Sequence, residues 1–246
     1  MLQAFGWTIF LKAGAVIAFA WMALLTAIGL PESLFSRANA SLTLTVATLV
    51  VLGAKWGLWR WLWRWIPALN RWVYPDLNGT WRGTLASNWP VIERMAKAAK
   101  GEAETYDPFS ADGHTRLTEV PMTLRIEASW FKIHVRMETD SQYSNSRALT
   151  VTPVRGENGD PHKLCYVFEN ETRDPVSTDS SYHKGTAWLS ITNGDTATVL
   201  DGQVWTERNW RKGLNTAGLL RVERVSADPD AAVLAKAPEN HHPSRT

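Results

Sequence analysis

Two apolar runs without a single charge, residues 13–30 and 38–54, constrain this chain more than any other part of its 246 residues. They are 18 and 17 residues long, close to the roughly 20 that carry an α-helix across about 30 Å of hydrocarbon at 1.5 Å per residue. Extended back past Lys12, whose long side chain snorkels, and forward toward Trp59, both reach full length. PESLFSR between them is a short polar turn with a proline, so a two-helix transmembrane hairpin is expected. A cleaved signal peptide fits less well, although Ala38-Asn39-Ala40 has the small residues of a cleavage site. Only Lys12 precedes the first run, and a second apolar run follows at once.

The exit from the second run is KWGLWRWLWRWIPALNRWVYP. Trp56, Trp59, Trp61, Trp63, Trp65 and Trp72 read as an interfacial belt, with Arg60 and Arg64 one helical turn apart. Tryptophans at every second residue would circle a helix, so this segment is expected to lie in the headgroup layer. Lys55, Arg60, Arg64 and Arg71 follow the second run, whereas the hairpin turn holds one Arg and one Glu. The positive-inside rule then puts both termini in the cytoplasm.

Charge divides in the same place. Six basic residues stand against Glu32 alone before Pro75, and twenty against twenty-three acidic ones after it. The basic excess belongs to the membrane, where anionic lipid attracts it. The slightly acidic remainder does not fit a binder of long nucleic acid. The single cysteine, Cys165 in the strand-like KLCYVF, excludes an intramolecular disulfide and reads as a buried structural thiol.

From Asn78 the period changes to two. GTWRGTLASNW, PMTLRIEASW, FKIHVRMET, SRALTVTPVR, HKLCYVFEN, SYHKGTAWLSI, TATVLDGQVWTE and NTAGLLRVERV alternate as strands, parted by turn signals such as GENGDP and TNGD. About eight short antiparallel strands predict an all-β domain, a barrel or a sandwich, and an eight-stranded barrel has room inside for side chains or one small ligand. VIERMAKAAK, 91–100, is the one helical stretch, inside a long connection. The domains expected are a hairpin with its Trp/Arg segment at 1–73, a barrel at 74–225 and a disordered tail at 226–246.

Catalytic motifs are absent: there is no Walker-type loop, no G-x-S-x-G and no H-E-x-x-H. His114, His134, His162 and His183 are scattered and read as structural or solvated, so no catalytic residue, metal or cofactor is expected. The sequons at Asn39, Asn78 and Asn170 match a pattern frequent by chance. Ligand binding remains. Thr139, Ser141, Ser144, Ser146 and Arg147 cluster after the third strand, and Trp205-Thr206-Glu207-Arg208 ends the seventh. Hydroxyls, a stacking ring and a guanidinium are what a nucleotide requires. The same residues also read as turn serines and a solvated arginine. Gly79-Thr80-Trp81 is similar to the G-x-W of lipocalin-like barrels, which leaves a membrane-anchored binder of an apolar ligand as the alternative.

The order of motifs favours the nucleotide. Two transmembrane segments lead at once into PDLNGTW, then LRIEASWFKIHVRMETDSQYSNS, YVFENE, HKGTAWLSI and LDGQVWTERN…GLLRVER. This resembles the bacterial two-transmembrane β-barrel effectors of cyclic-oligonucleotide-based antiphage signalling (CBASS), over nearly the whole chain to about Val225. The resemblance implies a barrel that binds a cyclic dinucleotide made by a partner nucleotidyltransferase on infection. Binding would drive self-association, and the clustered helices would disrupt the inner membrane. Carried onto this chain, Ser141, Ser144, Ser146, Thr206 and Arg208 line the ligand end of the barrel, with Arg208 toward phosphate and Trp205 or Tyr182 stacking a base. Strand alternation sets Thr206 and Arg208 on one face and Trp205 and Glu207 on the other, so Trp205 and Arg208 do not both point inward in an unbulged strand.

Overall fold

The period-two segments become strands because each buries alternate side chains against the others. The computed structural model describes residues 2–30, 33–53, 58–109, 116–139, 143–173, 175, 179–193 and 198–230. Helices α1 (Leu2–Ala27), α2 (Leu34–Gly53), α3 (Leu58–Trp65) and α4 (Ala68–Trp72) precede β1 (Gly79–Ser87). Helix α5 (Trp89–Ala99) comes next, then β2 (Thr118–Ala128), β3 (Ile133–Thr139), β4 (Ser144–Val154), β5 (Lys163–Thr172), β6 (Tyr182–Asn193), β7 (Thr198–Thr206) and β8 (Ala217–Ser226). The eight strands form a closed up-and-down barrel in sequence order, and β1 pairs with β8 to shut it. The expected fold class is therefore observed as a barrel, not a sandwich.

Closure leaves little space inside. Leu124, Ile126, Leu164, Leu189, Leu200, Leu220 and Val222 are fully buried and fill the lower two-thirds together with Trp81 and Tyr166. A bulge between Ala148 and Thr150 shifts the inward phase of β4, so Ser144, Ser146 and Ala148 share the inner face with Val151. At the seam a Cβ on Gly83 would lie 1.9 Å from the Arg221 carbonyl, so only glycine lets β1 and β8 approach this closely.

The strands run alternately up and down, which gives the barrel two unlike poles. At the lower pole Trp59 and Trp63 of α3, one turn apart, are buried beneath the barrel with their rings edge-to-face at 5.4 Å. Trp63 Nε1–H donates to the Tyr74 carbonyl (2.8 Å), and the Tyr74 hydroxyl donates to the Lys163 carbonyl (2.9 Å). Trp81, the tryptophan of the G-x-W triplet, is also fully buried here under the Arg224 guanidinium, at 5.6 Å. Arg60 pairs with Asp76 (2.9 Å) and donates to the Ala227 carbonyl (2.8 Å).

The tryptophan run is therefore not one interfacial belt. Spacing of four residues sorts it into two opposite stripes: Trp59 and Trp63 plug the barrel floor, while Trp61 and Trp65 stay exposed and 4.7 Å apart on the other side. Arg60, expected at the lipid, is consumed by the floor. Trp56 and Lys55 lie outside the described residues. His162 Nδ1 accepts from Gly156 N–H while Nε2–H donates to the Arg71 carbonyl, which ties the linker to the β4–β5 loop.

Above the N-terminus α1 and α2 pack as an antiparallel pair. Trp21 Nε1–H donates to Thr48 Oγ1 (3.1 Å) and Ser41 Oγ–H to the Ala18 carbonyl (2.7 Å), with Ser41 and Thr45 buried between the helices. Among the described residues α2 alone is long and apolar enough to cross a membrane; the apolar stretch of α1, Leu11–Ala27, is shorter. The Gly53 carbonyl at the end of α2 accepts from Trp130 N–H in the β2–β3 turn, so the hairpin leaves from the floor.

Two further expectations are revised. Residues 226–230 are held: the carbonyls of Asp228 and Pro229 accept from Thr80 and Arg125. The rest of the tail lies outside the described residues. Cys165 points outward and is half-buried, where desolvation pushes its thiol up despite Lys163, so it is a poor nucleophile.

Trp59→Ala is expected to destabilise the barrel by about 3–5 kcal/mol, as large core truncations do. Trp61→Ala is expected to change stability by less than about 0.5 kcal/mol, as exposed substitutions do. Denaturant unfolding of the detergent-solubilised chain compares the two.

Candidate functional site

The upper pole is where the apolar filling stops. The inward positions nearest the rim carry small or polar side chains: Ser87 of β1, Thr118 of β2, Thr139 of β3, Ser144 and Ser146 of β4, Asn170 and Thr172 of β5, His183 of β6 and Thr206 of β7. They enclose a mouth cavity of about 260 Å³ over an apolar base of Val120, Met122, Met137, Phe168 and Val204. Gly185 supplies part of that base, since a Cβ there would strike the Phe168 ring. A roomier groove of about 360 Å³ lies outside the rim, where Glu138 and Glu171 outnumber Arg173 and disfavour an anion.

Hydrogen bonds order the ring. Ser146, Asn170 and His183 stand side by side in the register of β4, β5 and β6. The Asn170 amide donates to Ser144 Oγ (2.6 Å), and Thr206 and Thr216 share a hydroxyl–hydroxyl contact of 2.9 Å. Among the described lining residues the only charged groups are Arg208 and Asp179. Arg208 Nε lies 2.5 Å from Asp179 Oδ1, close enough for an ion pair but without the alignment of a hydrogen bond. The Asp179 side chain is 1% exposed and also accepts from the Tyr143 hydroxyl (3.0 Å) and Ser180 N–H (2.8 Å). The guanidinium sits 5.2 Å from the Trp89 ring centre at the start of α5.

His183 sits beside this pair, 3.3 Å from Ser180 Oγ. Burial lowers its pKa first and the Arg208 charge second, with Asp179 and Glu207 opposing. The imidazole is therefore neutral at neutral pH and serves as a hydrogen-bonding group.

The sequence-predicted residues divide cleanly. Ser144, Ser146, Thr206 and Arg208 line the mouth. Ser141 lies outside the described residues. Trp205 and Tyr182 are on the outer wall, 43% and 52% exposed. Of Trp205 and Arg208, which alternation had set on opposite faces, the closed barrel turns the arginine to the mouth and the tryptophan outward. Tyr182 is engaged outside: its hydroxyl donates to Glu169 Oε2 (2.7 Å), and that carboxylate, paired with Arg147 too, is held below its usual range. Glu207, whose carboxylate would repel a phosphate, turns outward and accepts from Lys184 N–H.

Sequence reasoning missed Trp89, Tyr143, Asn170, Asp179 and His183. Asn170 and His183 were legible from the inward phase of their strands. Trp89, Tyr143 and Asp179 come from rim connections, where no periodicity points inward.

The comparison with known proteins agrees with this geometry. Residues 72–224, more than half of the chain, match the family model described as Cap15, cyclic dinucleotide receptor domain. The chain belongs to that family. It is 28% identical over 184 residues to CD-NTase-associated protein 15 of Escherichia albertii, covering 75% of this chain and 80% of that one. This is the CBASS effector family whose motifs the sequence carries, and the residues that match its model are those of the barrel.

Depression of the His183 pKa means that the unfolded chain binds its proton more readily. Stability is therefore complete above about pH 6.5 and falls as pH drops below that value. His183→Gln is expected to reduce the loss in melting temperature between pH 7 and pH 5, read by differential scanning fluorimetry.

Proposed function

We propose that the mouth binds a cyclic dinucleotide and that the chain is a CBASS effector acting through its helices at the bacterial inner membrane. The observation that carries this reading is Arg208: a guanidinium held at the rim of a cavity ringed by hydroxyl and amide side chains over an apolar base, with Asp179 and His183 beside it. It would meet a phosphate, while Ser144, Ser146 and Asn170 supply hydrogen bonds. Trp89, not Trp205 or Tyr182, offers the ring for stacking.

The cavity is smaller than the roughly 300–1,000 Å³ of sites that engulf a ligand. The ligand would therefore stand partly above the rim, against α5 and the upper connections. That exposed complex is a fitting surface for a second copy, and self-association would gather the hairpins and disrupt the membrane. Residues 1–73 would be the membrane module with both α1 and α2 spanning, 74–225 the cytoplasmic sensor, and a nucleotidyltransferase the source of the signal. The apolar-ligand alternative finds no support in the barrel interior, which is filled by leucine, isoleucine and valine down to the floor.

The test is calorimetric titration of the detergent-solubilised chain with cyclic di-GMP, cyclic di-AMP and cyclic GMP–AMP, using linear dinucleotides as controls. One cyclic species should bind and the linear ones should not. Arg208→Ala is expected to weaken binding about thirty-fold or more, the loss for removing one member of a desolvated charge pair. Trp89→Ala is expected to cost roughly five- to hundred-fold, as loss of one stacked base does, while Trp205→Ala should be neutral. Binding of no cyclic species by the folded chain would overturn the reading.

A further inference from the structure

The mouth contains a contradiction. A cyclic dinucleotide is a dianion, yet the charged groups described in its walls cancel, one guanidinium against one carboxylate. That carboxylate is not an incidental surface group. Asp179 is almost wholly buried, oriented by Tyr143 and Ser180, and aimed at the Nε of Arg208. The Arg208 guanidinium also lies 5.2 Å from the Trp89 ring centre, and the residue's backbone N–H donates to Thr206 Oγ1 (3.4 Å). The Nε of Arg208 is buried and lies against the carboxylate without an aligned hydrogen bond.

We infer that Asp179 is a built-in competitor that occupies the phosphate position on Arg208 until a ligand displaces it. This rests on the receptor reading given above and adds to it a selectivity device. A second messenger acts at low concentration among abundant anions, above all inorganic phosphate and mononucleotides. An open guanidinium in a polar cup would bind those too. A carboxylate already seated on it makes any single anionic group a poor competitor, because the newcomer must break an ion pair and then sit beside a like charge. Only a ligand with further contacts, bases against Trp89 and the hydroxyl ring and a second phosphate, recovers that loss. Asp179 thus lowers the affinity of every anion by a similar factor, which leaves single phosphates too weak to occupy the cup at their working concentrations while a ligand with further contacts still binds.

The opposite role is a positioning one, in which Asp179 holds Arg208 in the geometry that a phosphate needs. The two roles predict effects of opposite sign. Asp179→Asn keeps an oxygen acceptor for Ser180 N–H and turns an amide N–H toward Tyr143, whose hydroxyl oxygen can accept it, while removing the charge, so the barrel is expected to fold; Asp179→Ser is a second neutral variant. In the full-length chain in detergent, Asp179→Asn should bind the responsive cyclic dinucleotide roughly ten-fold or more tightly, as removal of a close like charge does. Asp179→Glu keeps the charge and should bind no more tightly than the parent. Millimolar inorganic phosphate should raise the melting temperature of Asp179→Asn but not that of the parent chain. Weakened or unchanged cyclic-dinucleotide affinity in both neutral variants, or an equal phosphate response in parent and variant, overturns the inference. If neither the parent nor any variant binds a cyclic dinucleotide, while phosphate still separates Asp179→Asn from the parent, the receptor reading has failed and the competitor role has not.

Discussion

The pairing of β1 with β8 is the constraint on which the rest of the molecule depends. It shuts the sheet, removes both edges and forces eight strands to share one interior. The seam is possible because Gly83 lets the two backbones approach and because Gly79, with φ near 142°, turns the chain into β1 against Ser226. Once closed, the barrel has two poles and no other way in. The floor is sealed by the helix that precedes it, so the upper mouth is left as the place for a ligand.

Sealing the floor makes the connection to the helices stiff. Trp59, Trp63 and Arg60 belong to α3 in sequence but to the barrel in packing, and Gly53 at the end of α2 is hydrogen-bonded to the β2–β3 turn. The hairpin and the barrel therefore meet through contacts of Gly53, Leu49 and Leu52 with the barrel floor. Ligand site and helices lie at opposite ends of a solid interior.

The mouth follows the same economy of space. Inward side chains shrink and become polar only in the last turn of each strand, so the cavity is shallow and its specificity is concentrated in few groups. Arg208 and Asp179 both act on the neighbouring His183, the guanidinium lowering its pKa and the carboxylate opposing that. A neutral imidazole beside a paired guanidinium and carboxylate gives a cup with hydrogen-bonding capacity and no net charge.

The period-two alternation from Asn78 onward determined the barrel, because each strand had one apolar face that water could not be allowed to touch. Alternation likewise limited Trp205 and Arg208 to opposite faces, and the motif order named the family. Local pattern did not say which of those two faces was inside; that depended on the register of β6, β7 and β8. Nor did it say that Trp59 and Trp63 would turn away from the bilayer, since a helix shows its neighbours only after it has docked. Asp179, Tyr143 and Trp89 lie on connections, whose direction is set by the strands they join and not by any repeat of their own. The sequence alone therefore determined the elements and the family, through burial periodicity and motif order. Only the tertiary structure decided the ligand's surroundings, because those are made by residues far apart in the chain that meet when the barrel closes.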